Sequence, residues 1–291
     1  MYRVVDEELV KECVKPRRLD SHKGENGVVM VVGGSWIYHG APFLAAMASL
    51  RAGADLAYIA APEKIVPSIR ALSPAIIAIP LTDMKLTRGA ARRALNLLPK
   101  IDAIVIGPGL AAGSERGIEL LVEEAATLGK GIVLDATALY RDVLRYVAGR
   151  RVVLTPHAGE FRRIFEVDAP SELEERVEVV KEQAKKNQVT VLLKGRIDVI
   201  SDGVETVVNE TGSPAMTAGG TGDVLSGVVA TFLAWGVEPL KAAAAAAWIN
   251  GKAGEKAAER KGFHIIATDL LDSIPDVMKE FDRVEGAEQS D

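Results

Sequence analysis

The sequence predicts an α/β fold in three layers, with a mostly parallel central sheet and helices on both of its faces. Short runs of β-branched and aliphatic residues alternate with helical stretches from near residue 27 towards the C-terminal region. Most of these runs are apolar throughout, which is typical of strands buried on both faces of a parallel sheet. Their alternation with helices indicates βαβ crossovers. We expect a single domain over residues 1–291, since α/β folds of this length often form one.

The predicted elements follow this alternation in order. Apolar runs predict strands at Val28–Val32, Leu56–Ala60, Ile76–Ile79, Ala103–Ile106, Ile132–Leu134, Val152–Leu154 and Val189–Leu193. Helices are predicted between them at Pro42–Arg51, Gly89–Leu98, Glu115–Leu128, Gly159–Phe165 and Ser171–Lys186. A hairpin is then predicted from Asp198–Ser201 and Glu205–Asn209, because the Asp202-Gly203 pair between them is a strong signal for a tight turn.

Two alanine-rich helices are predicted after the hairpin, at Asp223–Ala234 and Pro239–Arg260. Proline suits the first turn of the second helix. The run Ala242–Ala247 is low in complexity, but alanine has the best helix propensity, so we expect a helix packed closely against a neighbour. The last residues, Gly286–Asp291, are expected to fray.

Composition and charge limit the classes of function. Hydrophobic residues make up 48% of the chain and charged residues 26%, an ordinary balance for a globular protein. A net charge of −5 argues against general binding to nucleic acid or to an anionic membrane. No apolar run approaches the roughly 20 residues that span a bilayer, and the N-terminus lacks a signal-peptide pattern. The lone Cys13 excludes an internal disulfide and is expected to be structural. We therefore expect a cytoplasmic protein.

The most informative segment is the glycine-rich loop Gly219-Gly220-Thr221-Gly222-Asp223, which runs directly into an apolar helix. Glycines let backbone amides approach an anion closely, and a helix N-terminus adds unsatisfied N–H groups. We interpret Gly220, Thr221 and Gly222 as an anion hole for a phosphoryl group in its transition state. Asp223 is then placed to be the catalytic base for an attacking hydroxyl.

Asp223 also has a plainer interpretation, as the N-cap of a glycine-rich turn, because Asp is a favoured capping residue. The loop is neither a P-loop, since no Gly-Lys-Ser/Thr follows, nor a G-x-G-x-x-G dinucleotide fingerprint. Other motifs lie at predicted strand ends, in a fixed order along the chain: Gly33-Gly34-Ser35, Gly40-Ala41-Pro42, Gly107-Pro108-Gly109-Leu110, Leu134-Asp135-Ala136, Thr155-Pro156-His157-Ala158-Gly159-Glu160-Phe161 and Leu193-Lys194-Gly195.

Together these motifs and the glycine-rich loop resemble the NAD(P)H-hydrate dehydratases, ribokinase-like enzymes that repair hydrated nicotinamide cofactors. The resemblance runs from about Gly24 to Pro275. It implies a ribokinase-like fold and a dehydration of the S form of hydrated NADH or NADPH, with ADP or ATP as phosphoryl donor and Mg²⁺ as cofactor. It also implies a homo-oligomer, by family resemblance a tetramer. Because no room is left for the N-terminal epimerase domain of many relatives, epimerisation is expected to lie in a separate partner.

The resemblance also implies roles for individual residues. Those expected to touch the hydrated substrate are Ala41, Gly109, His157 and Asp223. Those expected to contact the adenine nucleotide are Lys194, Gly195, Arg196, Ile197, Asp198 and Gly222. No metal ligand is assigned.

The chain departs from the family pattern at two places. Thr137 stands where many relatives have a second aspartate, which keeps a hydrogen-bonding group but removes a charge, and the segment Leu72-Ser73-Pro74-Ala75-Ile76 lacks an acidic residue that relatives often show. Either change is compatible with a shifted substrate. Two other hypotheses therefore stay open: a kinase of the same fold acting on a sugar, pyrimidine or thiazole alcohol, and a silent nucleotide-binding protein.

Several of these residues have structural interpretations as well. His157 could be a loop histidine bonded to backbone, and Lys194 could be a solvated charge at a strand end. Glu160 is expected to support the first turn of its helix rather than to take part in chemistry.

Overall fold

A computed structural model describes residues 2–285, so the predicted fraying of Gly286–Asp291 lies outside the described residues. The strands are β1 (Arg3–Val4), β2 (Arg17–Arg18), β3 (Val28–Val32), β4 (Leu56–Pro62), β5 (Ile76–Leu81), β6 (Ala103–Ile106), β7 (Gly131–Leu134), β8 (Val152–Leu154), β9 (Thr190–Leu193), β10 (Asp198–Ser201), β11 (Thr206–Asn209) and β12 (Val284–Glu285). Ten of them form one sheet in the order β1-β11-β10-β9-β8-β7-β6-β3-β4-β5, and β12 pairs with β2.

The large sheet is mostly parallel, as predicted. The pairs from β5 through β4, β3, β6, β7 and β8 to β9 are all parallel, and only β10 runs antiparallel to its neighbours β9 and β11. The predicted hairpin is confirmed, with its turn at Asp202 and Gly203, where glycine has a φ of +90°. The two-residue strands β1, β2 and β12 were not predicted, because so short a segment shows no periodicity.

The helices are α1 (Glu7–Cys13), α2 (Gly40–Arg51), α3 (Val66–Leu72), α4 (Arg88–Leu95), α5 (Glu115–Thr127), α6 (Leu144–Val147), α7 (Ala158–Phe165), α8 (Leu173–Asn187), α9 (Thr221–Ala234), α10 (Pro239–Lys261) and α11 (Ala267–Met278). Apolar side chains of α1, α2, α3, α9, α10 and α11 pack in one core, and those of α4 to α8 pack in a second. Because the strands β3 to β11 contribute residues to both cores, the sheet is the middle of three layers, and the predicted fold class is confirmed.

The helix that follows the glycine-rich loop, α9, is buried almost throughout and packs tightly on α2. Gly227 lies against the backbone of Ala45, so closely that any side chain there would overlap the Ala45 carbonyl. The predicted burial of Ala242–Ala247 in α10 is also confirmed, since all of these alanines are at most 2% exposed. Close packing of small residues thus brings the start of α9 beside the start of α2, at the carboxyl edge of the sheet.

Two further expectations concern classes of function. Within residues 2–285, no helix combines the length and apolar character that crossing a membrane requires. Cys13 is buried at 4% exposure, and burial raises the pKa of its thiol to about 11. A thiol that stays protonated at neutral pH is a poor nucleophile, which agrees with a structural role.

Candidate active site

The loops that follow the parallel strands are joined to one another at the carboxyl edge of the sheet. Gly34 N donates to the Pro108 carbonyl at 2.8 Å, which ties the loop after β3 to the loop after β6. Lys194 N donates to the Pro156 carbonyl at 2.8 Å, which ties the end of β9 to the loop after β8. Ligands of open α/β sheets bind at this edge, so the motifs quoted from the sequence converge where a site is expected.

Lys194 is a partly buried cation held by carboxylates, not a fully solvated charge. Its Nζ lies 3.2 Å from Asp135 Oδ1 and 3.8 Å from Glu160 Oε2, and its side chain is 21% exposed. The other oxygen of Asp135, Oδ2, accepts a hydrogen bond of 2.7 Å from Ser226 Oγ in α9. Burial lowers the pKa of Lys194, but Asp135 and Glu160 outweigh it and raise that pKa above its ordinary value. The side chain is therefore an ammonium ion at neutral pH.

This ammonium ion lies directly beside the glycine-rich loop. A Cβ on Gly222 would stand 3.2 Å from Lys194 Nζ. Gly220 is the N-cap of α9 and has a φ of +96°, a left-handed conformation that glycine adopts without strain. The Thr221 hydroxyl turns back into the loop and donates to the Met216 carbonyl at 2.9 Å. The first N–H groups of α9 and one fixed cation thus provide a place for a phosphate anion.

Asp223 lies in the first turn of α9, and the alternative that it caps the helix is wrong because Gly220 holds that position. Within residues 2–285, its carboxylate accepts no hydrogen bond, and only burial and nearby charges act on its pKa. Burial, followed by the negative charge of Asp135, raises the pKa of Asp223 to about 7, although Lys194 partly opposes the rise. A carboxyl group with a pKa near neutrality and no internal partner has the properties of a general base.

A cavity of about 340 Å³ opens on the far side of Gly222 and Lys194. Its lining includes every residue expected to contact the nucleotide except Ile197. Ile197 packs against the second core, and its carbonyl accepts a hydrogen bond of 3.2 Å from the Arg176 guanidinium. Asp198 shapes the wall, because its two oxygens accept hydrogen bonds from Gly195 N and Asn209 Nδ2, each at 3.0 Å. Burial raises the pKa of Asp198.

The residues expected to touch the substrate lie apart from this cavity. Gly109 has a φ of +68°, and a Cβ there would stand 2.7 Å from the Tyr38 carbonyl and 3.1 Å from Ala41 Cβ. Gly109 and Ala41 therefore lie next to each other, on the α2 side of the loop. Leu44, in the same helical face as Ala41, stands 2.6 Å from a Cβ placed on Gly220. The glycine-rich loop thus separates the Ala41–Gly109 surface from the cavity.

His157 is the N-cap of α7. Its Nδ1 accepts hydrogen bonds from Gly159 N at 3.0 Å and Glu160 N at 3.3 Å, and its side chain is 61% exposed. Glu160 returns the interaction by accepting from His157 N at 2.9 Å, which confirms its expected support of the first helical turn. The same carboxylate also faces Lys194, so Glu160 connects the cap to the partly buried ion pair.

Three features of the site were not predicted from the sequence. No role was assigned to Asp135, Ser226 or Asn250, although the position of Asp135 directly after an apolar strand was a usable signal.

Thr137, the residue that replaces an aspartate of many relatives, donates its hydroxyl to the Leu110 carbonyl at 2.9 Å. Its hydrogen-bonding group is thus used to hold the loop that carries Gly109.

The structure offers limited protein ligands for Mg²⁺. Within residues 2–285, no group of three or more His, Cys, Asp or Glu side chains is arranged to hold a metal ion. Asp135 is engaged by Lys194 and Ser226, which leaves Asp223 as the carboxylate with unshared oxygens beside the loop. Mg²⁺ usually keeps several waters and takes only one or two carboxylates together with nucleotide phosphates. The residues present therefore fit a metal that arrives on the nucleotide.

Comparisons with known proteins identify the family of this chain. The family model described as NAD(P)H-hydrate dehydratase matches residues 29–276. The ADP-dependent (S)-NAD(P)H-hydrate dehydratase of Cenarchaeum symbiosum is 50% identical over 284 residues, which cover 97% of this chain and 99% of that protein.

Solved structures extend the likeness to the fold. The ADP/ATP-dependent NAD(P)H-hydrate dehydratase of Bacillus subtilis, co-crystallised with ATP and Mg²⁺, superposes with a TM-score of 0.84 at 30% identity, over 97% of this chain and 99% of that chain. Arabidopsis thaliana ribokinase superposes with a TM-score of 0.59 at 12% identity, over 87% of this chain and 99% of that chain, which supports the ribokinase-like fold alone. On the extent of the family match and the 50% identity, this chain belongs to the NAD(P)H-hydrate dehydratase family.

Proposed function

We propose that this protein is a nucleotide-dependent dehydratase that converts the S form of hydrated NADH or NADPH back to NAD(P)H. The observation that carries the proposal is the unpartnered carboxylate of Asp223, with a pKa raised to about 7, beside the Lys194 ammonium and the N-terminus of α9. A base, a fixed cation and free N–H groups are the parts that phosphoryl transfer to a hydroxyl requires. The family relationship identifies the hydroxyl as that of the hydrated nicotinamide ring.

The reaction follows from the weakness of hydroxide as a leaving group. Asp223 takes the proton of the ring hydroxyl, whose oxygen bonds to the terminal phosphorus of the nucleotide while the bridging P–O bond breaks. The nucleotide departs as AMP from ADP, or as ADP from ATP. The lone pair of the ring nitrogen then expels phosphate as the C–O bond breaks, and the neighbouring ring carbon releases a proton. The products are NAD(P)H, inorganic phosphate and the shortened nucleotide.

The two ligands fit on opposite sides of the glycine-rich loop. The adenosine part of the nucleotide occupies the 340 Å³ cavity, with its phosphates at Gly220, Thr221 and Gly222 and beside Lys194. The hydrated ring lies on the Ala41–Gly109 surface, within reach of Asp223. This division is supported by the position of the loop between the two surfaces, with Leu44 of α2 against Gly220.

The phosphoryl donor and the metal ion complete the proposed reaction. We favour ADP as the donor because the relative from Cenarchaeum symbiosum, which is 50% identical, is named as ADP-dependent. Mg²⁺ bound to the phosphates would neutralise charge during the transfer. A cytoplasmic location and a homotetramer are further parts of the proposal, and the family resemblance supports the tetramer.

A single assay tests the proposal against the kinase alternative. The protein is incubated with hydrated NADH, ADP or ATP and Mg²⁺, and the absorbance of NADH is followed together with inorganic phosphate. We expect one phosphate per NADH formed, and no NADH when the nucleotide is omitted. If hydrated NADH is inert and a stable phosphate ester of a sugar or vitamin precursor accumulates instead, the protein is a kinase. Thr137 is then the first position to examine for the change of substrate.

A further inference from the structure

Asn250 of α10 is a buried amide without a partner, and it lines the cavity next to the glycine-rich loop. The residue is 6% exposed, and its Oδ1 is buried with no hydrogen-bond donor among residues 2–285. In that part of the chain, Arg176 Nε is the one other buried side-chain nitrogen or oxygen without a partner. An unpaired buried amide destabilises the fold, so a position that retains one points to a ligand that supplies the missing bond.

Thr211, another polar residue that lines the cavity, differs from Asn250 because its hydroxyl has partners within the protein. That hydroxyl donates to Asn209 Oδ1 at 2.9 Å and approaches the Trp248 carbonyl at 3.3 Å. Its hydrogen-bonding capacity is therefore used within the protein. The carboxamide of Asn250 keeps both its acceptor and its donors for a bound molecule.

The surroundings of Asn250 suit a flat heteroaromatic ring. Its cavity neighbours include the apolar side chains of Met216, Leu225 and Ala247. The segment that carries Met216 packs closely on α10, because a Cβ on Gly254 would overlap the Met216 side chain. Lys194 and Gly222 mark the phosphate end of the same cavity. An apolar slot with one amide therefore lies beside a cationic end, an arrangement that matches a base joined through a ribose to phosphates.

We propose that Asn250 is the residue that selects adenine in the nucleotide, by pairing with the edge that carries the amino group. The inference rests on the proposed function, which places the adenosine part in this cavity. Adenine presents an amino donor next to a ring-nitrogen acceptor, and an asparagine amide matches that pair with Oδ1 and Nδ2. The amide turns easily about its last torsion, which is broad and roughly two-fold, so its acceptor and donor can both meet the base. The edge meant here is the one with the amino group and N7, because hypoxanthine presents two acceptors at that edge, its carbonyl oxygen and N7, and Oδ1 then stays unpaired.

Calorimetric titration of the intact protein with ADP and with inosine diphosphate tests this inference. We expect the wild type to bind ADP about tenfold or more tightly than inosine diphosphate, since one good bidentate pair is worth roughly 1–3 kcal/mol. In Asn250→Leu, which keeps the size of the side chain, ADP affinity should fall about tenfold and the two affinities should become nearly equal. The exposed Asn96→Ala is the control, and its ratio should stay that of the wild type.

Thermal unfolding without ligand separates recognition from a structural role. Removal of an unpaired amide leaves the Tm of Asn250→Leu equal to or above that of the wild type, whereas a structural asparagine would lower it. If Asn250→Leu does not fold, Asn250→Ala takes its place in the titrations. A variant that still prefers ADP tenfold, or a wild type that binds both nucleotides equally, overturns the inference while the proposed function stands. A wild type that binds neither nucleotide overturns both.

Discussion

Lys194 and Asp135 form a partly buried ion pair of 3.2 Å beside the glycine-rich loop, although they are 59 residues apart in the chain. Ser226, 91 residues from Asp135, completes the contact through the second carboxylate oxygen. The arrangement fixes three elements, β7, β9 and α9, around Asp223. It also has an electrostatic consequence, because Asp135 raises the pKa of Asp223 while Lys194 lowers it.

Substitution of the base should separate chemistry from binding. We expect Asp223→Asn to lower kcat by about 10²–10⁴, because the loss of a general base typically costs that much. ADP affinity, measured by calorimetry, should stay nearly unchanged, since the amide keeps the shape of the side chain beside the loop. A variant that retained more than a tenth of the wild-type kcat would show that Asp223 is not the base.

The same variant should be more stable than the wild type at alkaline pH. The pKa of Asp223 is about 7 in the fold against an ordinary value of 3.8, so the folded state binds the proton more tightly than the unfolded state. The wild type therefore loses stability as the pH rises from about 4 to above 7. Asn carries no charge, so Asp223→Asn should gain roughly 1–4 kcal/mol at pH 8 and little at pH 4. Urea unfolding at the two pH values measures this, and an equal effect at both would contradict the raised pKa.

Removal of the Asp135 charge should shift the dependence of the rate on pH. Because the negative charge of Asp135 raises the pKa of Asp223, Asp135→Asn should lower that pKa. The acidic limb of kcat/KM, along which Asp223 loses its proton, should then move to lower pH by about one pH unit. The control is Asp272→Asn, a carboxylate that is 69% exposed. A limb that stays in place, or that moves to higher pH, argues against this coupling.

A side chain on Gly222 should damage nucleotide binding. A Cβ on that residue would stand only 3.2 Å from Lys194 Nζ. Backbone strain is not the reason, since the φ of Gly222, unlike that of Gly220, is not in the left-handed region. We expect Gly222→Val to push the ammonium from its place and to weaken ADP binding at least tenfold, with kcat/KM falling further. Gly89→Val, at an exposed position of α4 with no close neighbour for a side chain, is the matched control. Unchanged ADP affinity in folded Gly222→Val would refute the phosphate site.

Much of the fold could be predicted from local pattern. The continuously apolar runs located the strands β3 to β9 within about two residues, because a strand buried on both faces must be apolar at every position. The Asp202-Gly203 pair located the hairpin, because its turn requires a left-handed residue that glycine supplies. The helices α1, α3, α6 and α11 were missed. The first three span only seven, seven and four residues, too few to show a clear period, and Pro275 inside α11 interrupts the pattern that marks a helix.

The candidate site, like the fold, could be predicted only in part from the sequence. The glycine-rich loop and Asp223 were visible in the sequence, since a phosphate site at a helix N-terminus requires consecutive residues of that kind. The contacts around Lys194 were not visible in the sequence. Asp135 and Glu160 face Lys194, and Ser226 donates to Asp135, but these three residues come from distant segments that meet only after the strands align. The free amide of Asn250 was equally hidden in an alanine-rich helix. Local propensity and hydrophobic pattern act over a few residues, whereas the pKa of a base and the missing partner of an amide depend on which distant groups packing places beside them.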